Sequence, residues 1–468
     1  MSRAASSIYT AFLEAPPAAC ISVPFDSSSL GSNKNRSETS SGVAADADVD
    51  GDADVGAGAG SKVGSNLGGG GSAGRPRDLR TLLVTGTYTL DKETSLRHGS
   101  LLLHEAVLPR ADQPVPGLAA QLFVRSCTVA SLSLSLSLSK LHHSVPLASG
   151  SVLDIRLLSA SGNLSFPSGS SFVVCSSTGQ ILVYAIAADP TPLLYSVSSH
   201  SVTDESTLVL SLALCPTDNL LVAATTSKST LLLLRFEDNS FRSLKVVAEI
   251  DDAHHSLEAW TTTFSADGRS LYSGGDDASF AAWDIGHALL LGPDSANDPA
   301  IEAPLLIPLR YRSRKAHTAG VTAILSLTIA GTEYIFTGSY DQYVRVYLPA
   351  ANKWLEVAFD LGGGVWRLEK VPDRLIGDRL HDREHVGSEY GAAWVLASCM
   401  HAGCQLLRAT FLTDSDGERV DIRLVKSMTE HDSMNYASAC VGPFDSSQRN
   451  PMFLSTSFYD KRVCCWSI

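Results

Sequence analysis

A pair of short β-runs closed by a tight turn of small residues recurs seven times: Leu82 to Ala106, Phe172 to Tyr184, Leu220 to Phe236, Leu271 to Asp284, Tyr334 to Leu348, Trp394 to Arg408 and Phe453 to Ile468. The last six copies return every ~50–60 residues, a period that marks an array of like units. Helical periodicity of any length is hard to find. A unit of this size cannot bury its own faces, so its neighbours must cover them. Two copies are sharpest, LYSGGDDASFAAWD and IFTGSYDQYVRVYL. Each follows a histidine, His255 and His317, and the first also follows the strand EAWTTTFSADG.

This is the WD-repeat pattern, and it predicts an all-β chain folded as a seven-bladed WD40 β-propeller. Each unit is a four-stranded sheet, and radial packing leaves only short edges open. The last copy ends on a third strand, at Trp466, so the outermost place of that blade must be filled from elsewhere. Ile8 to Leu13 suits it, and Ala18 to Val23 suits the inner strand of blade one. The expected organisation is closing strands in 1–26, an insert over 27–77, and the propeller over 78–468, with N- and C-terminal strands shared in the last blade.

The insert is rich in Ser, Gly, Ala and Asp and has no aromatic residue, so it is expected to be disordered. Asp46, Asp48, Asp50 and Gly51 imitate a calcium loop, but Ala57 stands where a bidentate Glu is required. Gly70 to Gly74 match G-x-S-x-G without the strand and helix that a nucleophile elbow needs. Ser131 to Ser139 alternate Ser and Leu and read as a low-complexity insertion.

Charge and composition narrow the function. The chain carries 36 basic and 49 acidic residues, net −13, which disfavours a grip on nucleic acid or an anionic membrane. No basic run is expected to offset this. No apolar stretch approaches the ~18–20 residues of a membrane helix. No secretory signal is evident, so the expected location is cytoplasmic. The nine scattered cysteines read as reduced core thiols.

Several Ser/His/Asp sets look catalytic, but WD repeats use such sets as buried hydrogen-bonded scaffolding. By position, His255, Ser273, Asp277 and Trp283 form one set. His317, Thr337 and Asp341, with Tyr347 in place of Trp, form another, and Thr456, Asp460 and Trp466 serve the last blade. The residue before each turn Asp is free of that task and points to the mouth of the central channel. Consecutive blades put Asp276, Tyr340, His401 and Tyr459 there. A carboxylate, an imidazole and two phenols can hold a cation and offer a base. Glu258 and Trp260, Trp366 and Arg367, and His431, Ser433 and Tyr436 lie nearby on inner strands. Such a rim equally suits protein contacts. His381 and His385 bracket HDREH, which is not a zinc motif, and Gly362 to Gly364 lack the Lys and helix of a phosphate loop, so neither metal nor cofactor is expected.

The strings AHHSLEAW, LYSGGDDASFAAWD, AHTAGV, FTGSYDQYVRVY, GGGVWRLE, LASCMHAG, EHDSMNY and STSFYDKRVCCW, in this order, resemble the WD-repeat diphthine methyl ester hydrolases of diphthamide biosynthesis. LLVTGTYTL and GSLLLHEA resemble that family's first blade. The similarity runs from Leu82 to the end. Departures are the Gly/Asp segment, the Ser/Leu run, and Ala437, where the family tends to carry Gly after Tyr.

The resemblance implies hydrolysis of the methyl ester of methylated diphthine on elongation factor 2, giving diphthine for amidation to diphthamide. It implies a protein substrate carrying a trimethylammonium group beside the ester. It assigns no catalytic roles, which rest here on position. The candidates are His401 as base for water, Arg367 or Ser433 as oxyanion donor, and Asp276, Tyr340, Tyr459, Glu258 and Trp366 as substrate contacts. Ser433 or Cys399 as nucleophile is the alternative mechanism, and a non-catalytic adaptor is the alternative function.

Overall fold

The computed structural model describes residues 3–5, 9–12, 17–24, 79–108, 140–158, 171–187, 192–250, 255–286, 307–372, 389–415, 417–442, 451–457, 459–460 and 462–467. The expectations placed on 27–77, 131–139 and 381–385 lie outside these residues.

Seven sheets succeed one another along the chain, each antiparallel in its own four strands. The strands run in order from the channel outward in every blade. Blade 1 is Pro17–Pro24, Leu79–Thr87, Ser100–Leu108 and Lys140–Pro146; blade 2 is Val152–Leu157, Ser171–Ser176, Gln180–Ala187 and Leu193–Ser201. Blade 3 is Val209–Leu214, Leu221–Thr226, Leu231–Phe236 and Leu244–Ile250; blade 4 is Ala259–Phe264, Ser270–Gly275, Phe280–Asp284 and Leu309–Ser313. Blade 5 is Val321–Ile329, Thr332–Ser339, Tyr343–Leu348 and Lys353–Asp360; blade 6 is Arg367–Val371, Glu389–Ser398, Cys404–Asp414 and Gly417–Met428. Blade 7 is Asn435–Gly442, Met452–Ser457 and Arg462–Ser467, completed on its outside by Tyr9–Phe12. Neighbouring inner strands touch all the way round, blade 7 meeting blade 1, so the ring is closed.

The closure expected of the N-terminus is present: Tyr9 pairs with Cys465 and Phe12 with Arg462, while Pro17–Pro24 forms the inner strand of blade 1. An unforeseen addition is Arg3–Ala5, which pairs parallel to Lys426, Ser427 and Met428 as a fifth strand of blade 6. One stretch of chain thus ties two blades together and covers two otherwise open edges.

The core lies between the blades. Tyr334, Phe336 and Val346 of blade 5 pack with Val395, Leu407 and Phe411 of blade 6. Trp394 and Leu406 of blade 6 meet Phe453 and Trp466 of blade 7, and Trp466 is fully buried. Burying a large apolar side chain is worth ~1.5–3 kcal/mol, so the faces that alternate apolar residues hold the ring together. Cys175, Cys215, Cys399, Cys404 and Cys464 are buried free thiols.

The turns joining second and third strands share a conformation that positions the mouth. The third residue of each turn is left-handed in five consecutive blades: Gly179, Ser229, Ala278, Gln342 and Gly403, with φ of 69°, 66°, 59°, 75° and 77°. Two residues upstream of it, each turn holds one side chain at the same place on its rim.

Candidate functional site

The scaffold accounts for most of the catalytic-looking sets. His255 places Nδ1 2.9 Å from Asp277 and Nε2 3.1 Å from Ser273, whose hydroxyl accepts the indole N–H of Trp283 at 3.0 Å. Against the cost of burial, hydrogen bonds from His255, Ser256 and Ser279 hold the Asp277 carboxyl well below its ordinary range.

Blade 5 departs from the expected set. His317 meets Thr337 at 2.9 Å, but Asp341 pairs with Arg345 at 2.9 Å. Tyr347 does not replace Trp in the chain, because its hydroxyl donates to Asn352 at 2.6 Å. The Nδ1 of His317 has no hydrogen-bond partner, and burial, followed by the nearby Arg345 charge, pushes its pKa down to about 4.

Blade 7 corrects two expectations. The second-strand hydroxyl is Ser455, not Thr456: His431 lies 3.0 Å from Ser455 and 3.3 Å from Asp460, while Thr456 donates to the Ala437 carbonyl. His431 is therefore buried scaffolding rather than a rim residue, with its side chain 1% exposed. A one-residue step along a strand changes face, which separates the two hydroxyls.

At the mouth the structure joins four aromatic rings from four inner-strand and turn positions. Trp260 lies edge-on to Trp366 at 5.5 Å and to Tyr340 at 6.4 Å. Tyr340 and Trp366 are 6.0 Å apart, and Trp366 meets Tyr436 at 5.3 Å. All four are partly buried. The indole N–H of Trp260 donates to Asp276 at 3.0 Å, and the Asp276 backbone N–H donates to the Glu258 carbonyl at 2.9 Å. Burial, then the charges of Asp276 and Glu258 and the phenol of Tyr436, raise the Tyr340 hydroxyl well above its usual range. Burial and a hydrogen bond with Tyr459 push Tyr436 up to about 12. Tyr459 itself is 64% exposed. Rings beside carboxylates make a site for a cation.

The glycine run Gly362 to Gly364 lets this mouth close. A Cβ on Gly363 would stand 2.4 Å from the Cys399 carbonyl oxygen, and one on Gly364 would stand 2.9 Å from the Met400 sulfur. The blade 6 turn can therefore settle against the loop leading to Trp366, whose backbone N–H donates to Ser398 at 2.8 Å.

His401 sits exposed on that turn. The Met400 carbonyl accepts the Asn435 N–H at 2.9 Å, which draws the His401 turn to the start of the blade 7 inner strand, two residues beyond Ser433. Trp366, the His401 turn, Ser433, Tyr436 and Tyr459 are thus one side of the mouth, and Glu258, Trp260, Asp276 and Tyr340 the other. Cys399 is fully buried, and burial raises its thiol well above the usual value, the condition of an inert core cysteine.

Arg367 lies below the rings, inside the channel. Its guanidinium pairs with Asp154 of blade 2 at 3.2 Å, and Asp154 also pairs with Arg156 at 3.2 Å. Glu369 completes the group. Burial pushes it up to about 7 despite Arg156 and Arg367. A cavity of about 250 Å³ opens here, lined by Arg156, Arg367, Thr261 to Thr263 and Ala323 to Leu325. Sequence reading missed Asp154, Arg156 and Glu369; the signal was charge within the inner strands VLDIRL and RLEKV, where a solvent-free face would be apolar. Among the described residues no group of three His, Cys, Asp or Glu stands together as a metal site.

No protein-family model matches the chain. A curated protein of Schizosaccharomyces pombe named "Diphthine methyltransferase" is 28% identical over 82% of this chain and 90% of its own length. "Diphthine methyltransferase homolog" of Dictyostelium discoideum is 25% identical over 50% of this chain and 59% of its own. "Diphthine methyltransferase" of Homo sapiens is 27% identical over 39% of this chain, which spans 32% of that protein. The match to the fission-yeast protein takes in most of both chains, so this chain is similar over that length to proteins named diphthine methyltransferase.

Proposed function

We propose that the protein acts in diphthamide biosynthesis as a carboxylic ester hydrolase, removing the methyl ester of methylated diphthine on elongation factor 2. The observation that carries this reading is the ring cluster of Trp260, Tyr340, Trp366 and Tyr436 beside Asp276 and Glu258. A trimethylammonium group has no N–H to donate and is recognised by aromatic faces and nearby negative charge, which this mouth offers. The name printed for the similar fission-yeast protein, diphthine methyltransferase, supports chemistry on the methyl group of diphthine, and a substrate carried by elongation factor 2 supports a cytoplasmic location.

With the ammonium among the rings, the adjacent ester faces the His401 and Ser433 side. His401 takes a proton from water as the water oxygen attacks the ester carbon. The oxyanion that forms is met by the Ser433 hydroxyl and by the positive field of Arg367 beneath Trp366. Collapse breaks the bond to the methoxy oxygen, the proton passes from His401 to that oxygen, methanol leaves, and the carboxylic acid left behind loses its own proton to solvent as the carboxylate. Tyr459 and Met434, both exposed at the rim, offer apolar surface to the protein carrying the ester.

A second reading, a non-catalytic adaptor, has one observation in its favour: His401 makes no hydrogen bond among the described residues that would orient it as a base. One experiment separates the two. Purified protein is incubated with elongation factor 2 bearing methylated diphthine, and intact mass is followed. Loss of one methyl group that depends on the protein supports the hydrolase. Gain of a methyl group, or tight binding with no change in mass, overturns it.

A further inference from the structure

The expectation of no basic run fails at the outer edge of blade 4, where Arg310, Arg312, Arg314 and Lys315 fall close together in sequence. Arg310 is taken up by Asp284 at 2.5 Å. Arg314 and Lys315 are exposed, and among the described residues neither side chain forms an ion pair. Lys315 lines, and Arg314 adjoins in sequence, a groove of about 690 Å³ between the outer strands of blades 4 and 5, whose other walls include Tyr311, Arg312, Arg345, Trp354 and Val357.

The floor of the groove is rigid and aromatic. Trp354 donates its indole N–H to the Tyr311 hydroxyl at 3.0 Å, and Tyr311 stacks on Tyr347 at 4.9 Å and 16°. Trp354 also packs edge-on to Phe280 at 5.2 Å. One wall holds Arg345, whose guanidinium is fixed by Asp341 at 2.9 Å and lies 5.1 Å from the Tyr343 ring. Positive charge is crowded here: burial, then the neighbouring Arg314, lowers the Arg312 guanidinium below its ordinary pKa. Among the described residues, Glu356 on the blade 5 wall is the one carboxylate lining the groove, and the charge of Asp277 offsets part of the crowding at Arg312.

The sign of this patch is opposite to that of the chain, which carries −13 overall. A long polyanion laid across the patch would meet repulsion from the rest of the surface. A ligand with a few carboxylates, confined to the groove, would not. We propose that the groove between blades 4 and 5 docks a short acidic segment of a partner protein. Its carboxylates meet Lys315 and, beside the groove, Arg314, and an apolar or aromatic side chain between them lies on Tyr311 and Trp354. Glu356 repels acidic residues at the far wall and so sets the direction of the segment. The groove lies on the outer strands while the ring cluster lies at the channel mouth, so the two can be occupied together.

The test uses the full chain and a fluorescein-labelled peptide that alternates Glu with Leu and Phe, followed by anisotropy at about 0.15 M salt. Binding that falls about tenfold or more in the Arg314→Glu/Lys315→Glu variant, with its thermal midpoint unchanged, supports the proposal. A zero-length carbodiimide cross-link from the peptide to Lys315, mapped by mass spectrometry, supports it as well. Equal binding by the variant overturns it, as does tighter binding of a single-stranded oligonucleotide than of the peptide. A cross-link from Lys315 to Asp46, Asp48, Asp50, Asp52 or Asp54 in the absence of peptide also overturns it, since this chain's own acidic segment would then be the occupant.

Discussion

Trp260 donates its indole N–H to the Asp276 carboxylate at 3.0 Å, so a ring of the mouth and its nearest negative charge are held as one unit on blade 4. Replacing Asp276 with Asn keeps an acceptor for the indole and removes only the charge. The expected result is a KM for methylated elongation factor 2 raised ~5- to 30-fold, equivalent to about 1–2 kcal/mol, with kcat little changed. Trp260→Ala loses both ring and anchor and should cost more. Competition by tetramethylammonium, measured on each variant, reports the cation site directly.

His401→Ala should lower kcat ~10²- to 10⁴-fold while leaving binding of the substrate protein intact, because the residue is exposed and has no packing role. Ser433→Ala should lower kcat about tenfold or more by removing one oxyanion donor. Single-turnover mass spectrometry checks both. Full turnover in His401→Ala would remove it from the chemistry.

Two groups give stability opposite pH slopes. Glu369 is raised from 4.5 to about 7 by burial, so its contribution is fully present below about 4.5 and is lost as pH rises to about 7. His317 is lowered from 6.5 to about 4, so its contribution is fully present above about 6.5 and is lost as pH falls toward 4. Each is on the order of 3 kcal/mol at full extent. Glu369→Gln should therefore leave a stability that rises with pH across about 4.5 to 7, and His317→Asn one that falls. Urea denaturation at intervals over that range distinguishes them, and identical profiles for both variants would contradict the assignment.

Removing residues 1–12 takes the outer strand from blade 7 and the fifth strand from blade 6. At about 1 kcal/mol net for each backbone hydrogen bond lost, the deletion should cost roughly 3–6 kcal/mol. A lowered urea midpoint checks it, and the newly open edges should raise the tendency to aggregate.

The blade 4 tetrad and blade 5 make a further contrast. His255→Gln breaks hydrogen bonds to both Asp277 and Ser273 in a buried site and should destabilise by about 3 kcal/mol. His317→Gln should cost less, because His317 has only the Thr337 hydrogen bond to lose. Equal losses in thermal midpoint would show that the two histidines carry the same load.

Strand pairs, tight turns and the missing outer strand were legible in the sequence because they follow from local rules: period-two alternation, small residues where the turn requires them, and an edge that needs a partner. The scaffold set of blade 4 and the rim places of Asp276, Tyr340 and Tyr459 came from the same local register. Ser455 against Thr456 shows the limit, since a single step along a strand moves the hydroxyl to the other face, both faces are buried here, and spacing alone does not say which step is taken. Tyr347 shows another, because its hydroxyl finds Asn352 on a turn that the repeat pattern does not describe. What only the tertiary structure decided is which blades meet across the channel. Arg367 and Asp154 stand 213 positions apart and pair only when the ring closes, and Trp260, Trp366 and Tyr436 become one cluster for the same reason. Hydrogen-bonded strands are specified by neighbours in sequence, whereas a site at the axis of a propeller is made of side chains that closure alone brings together.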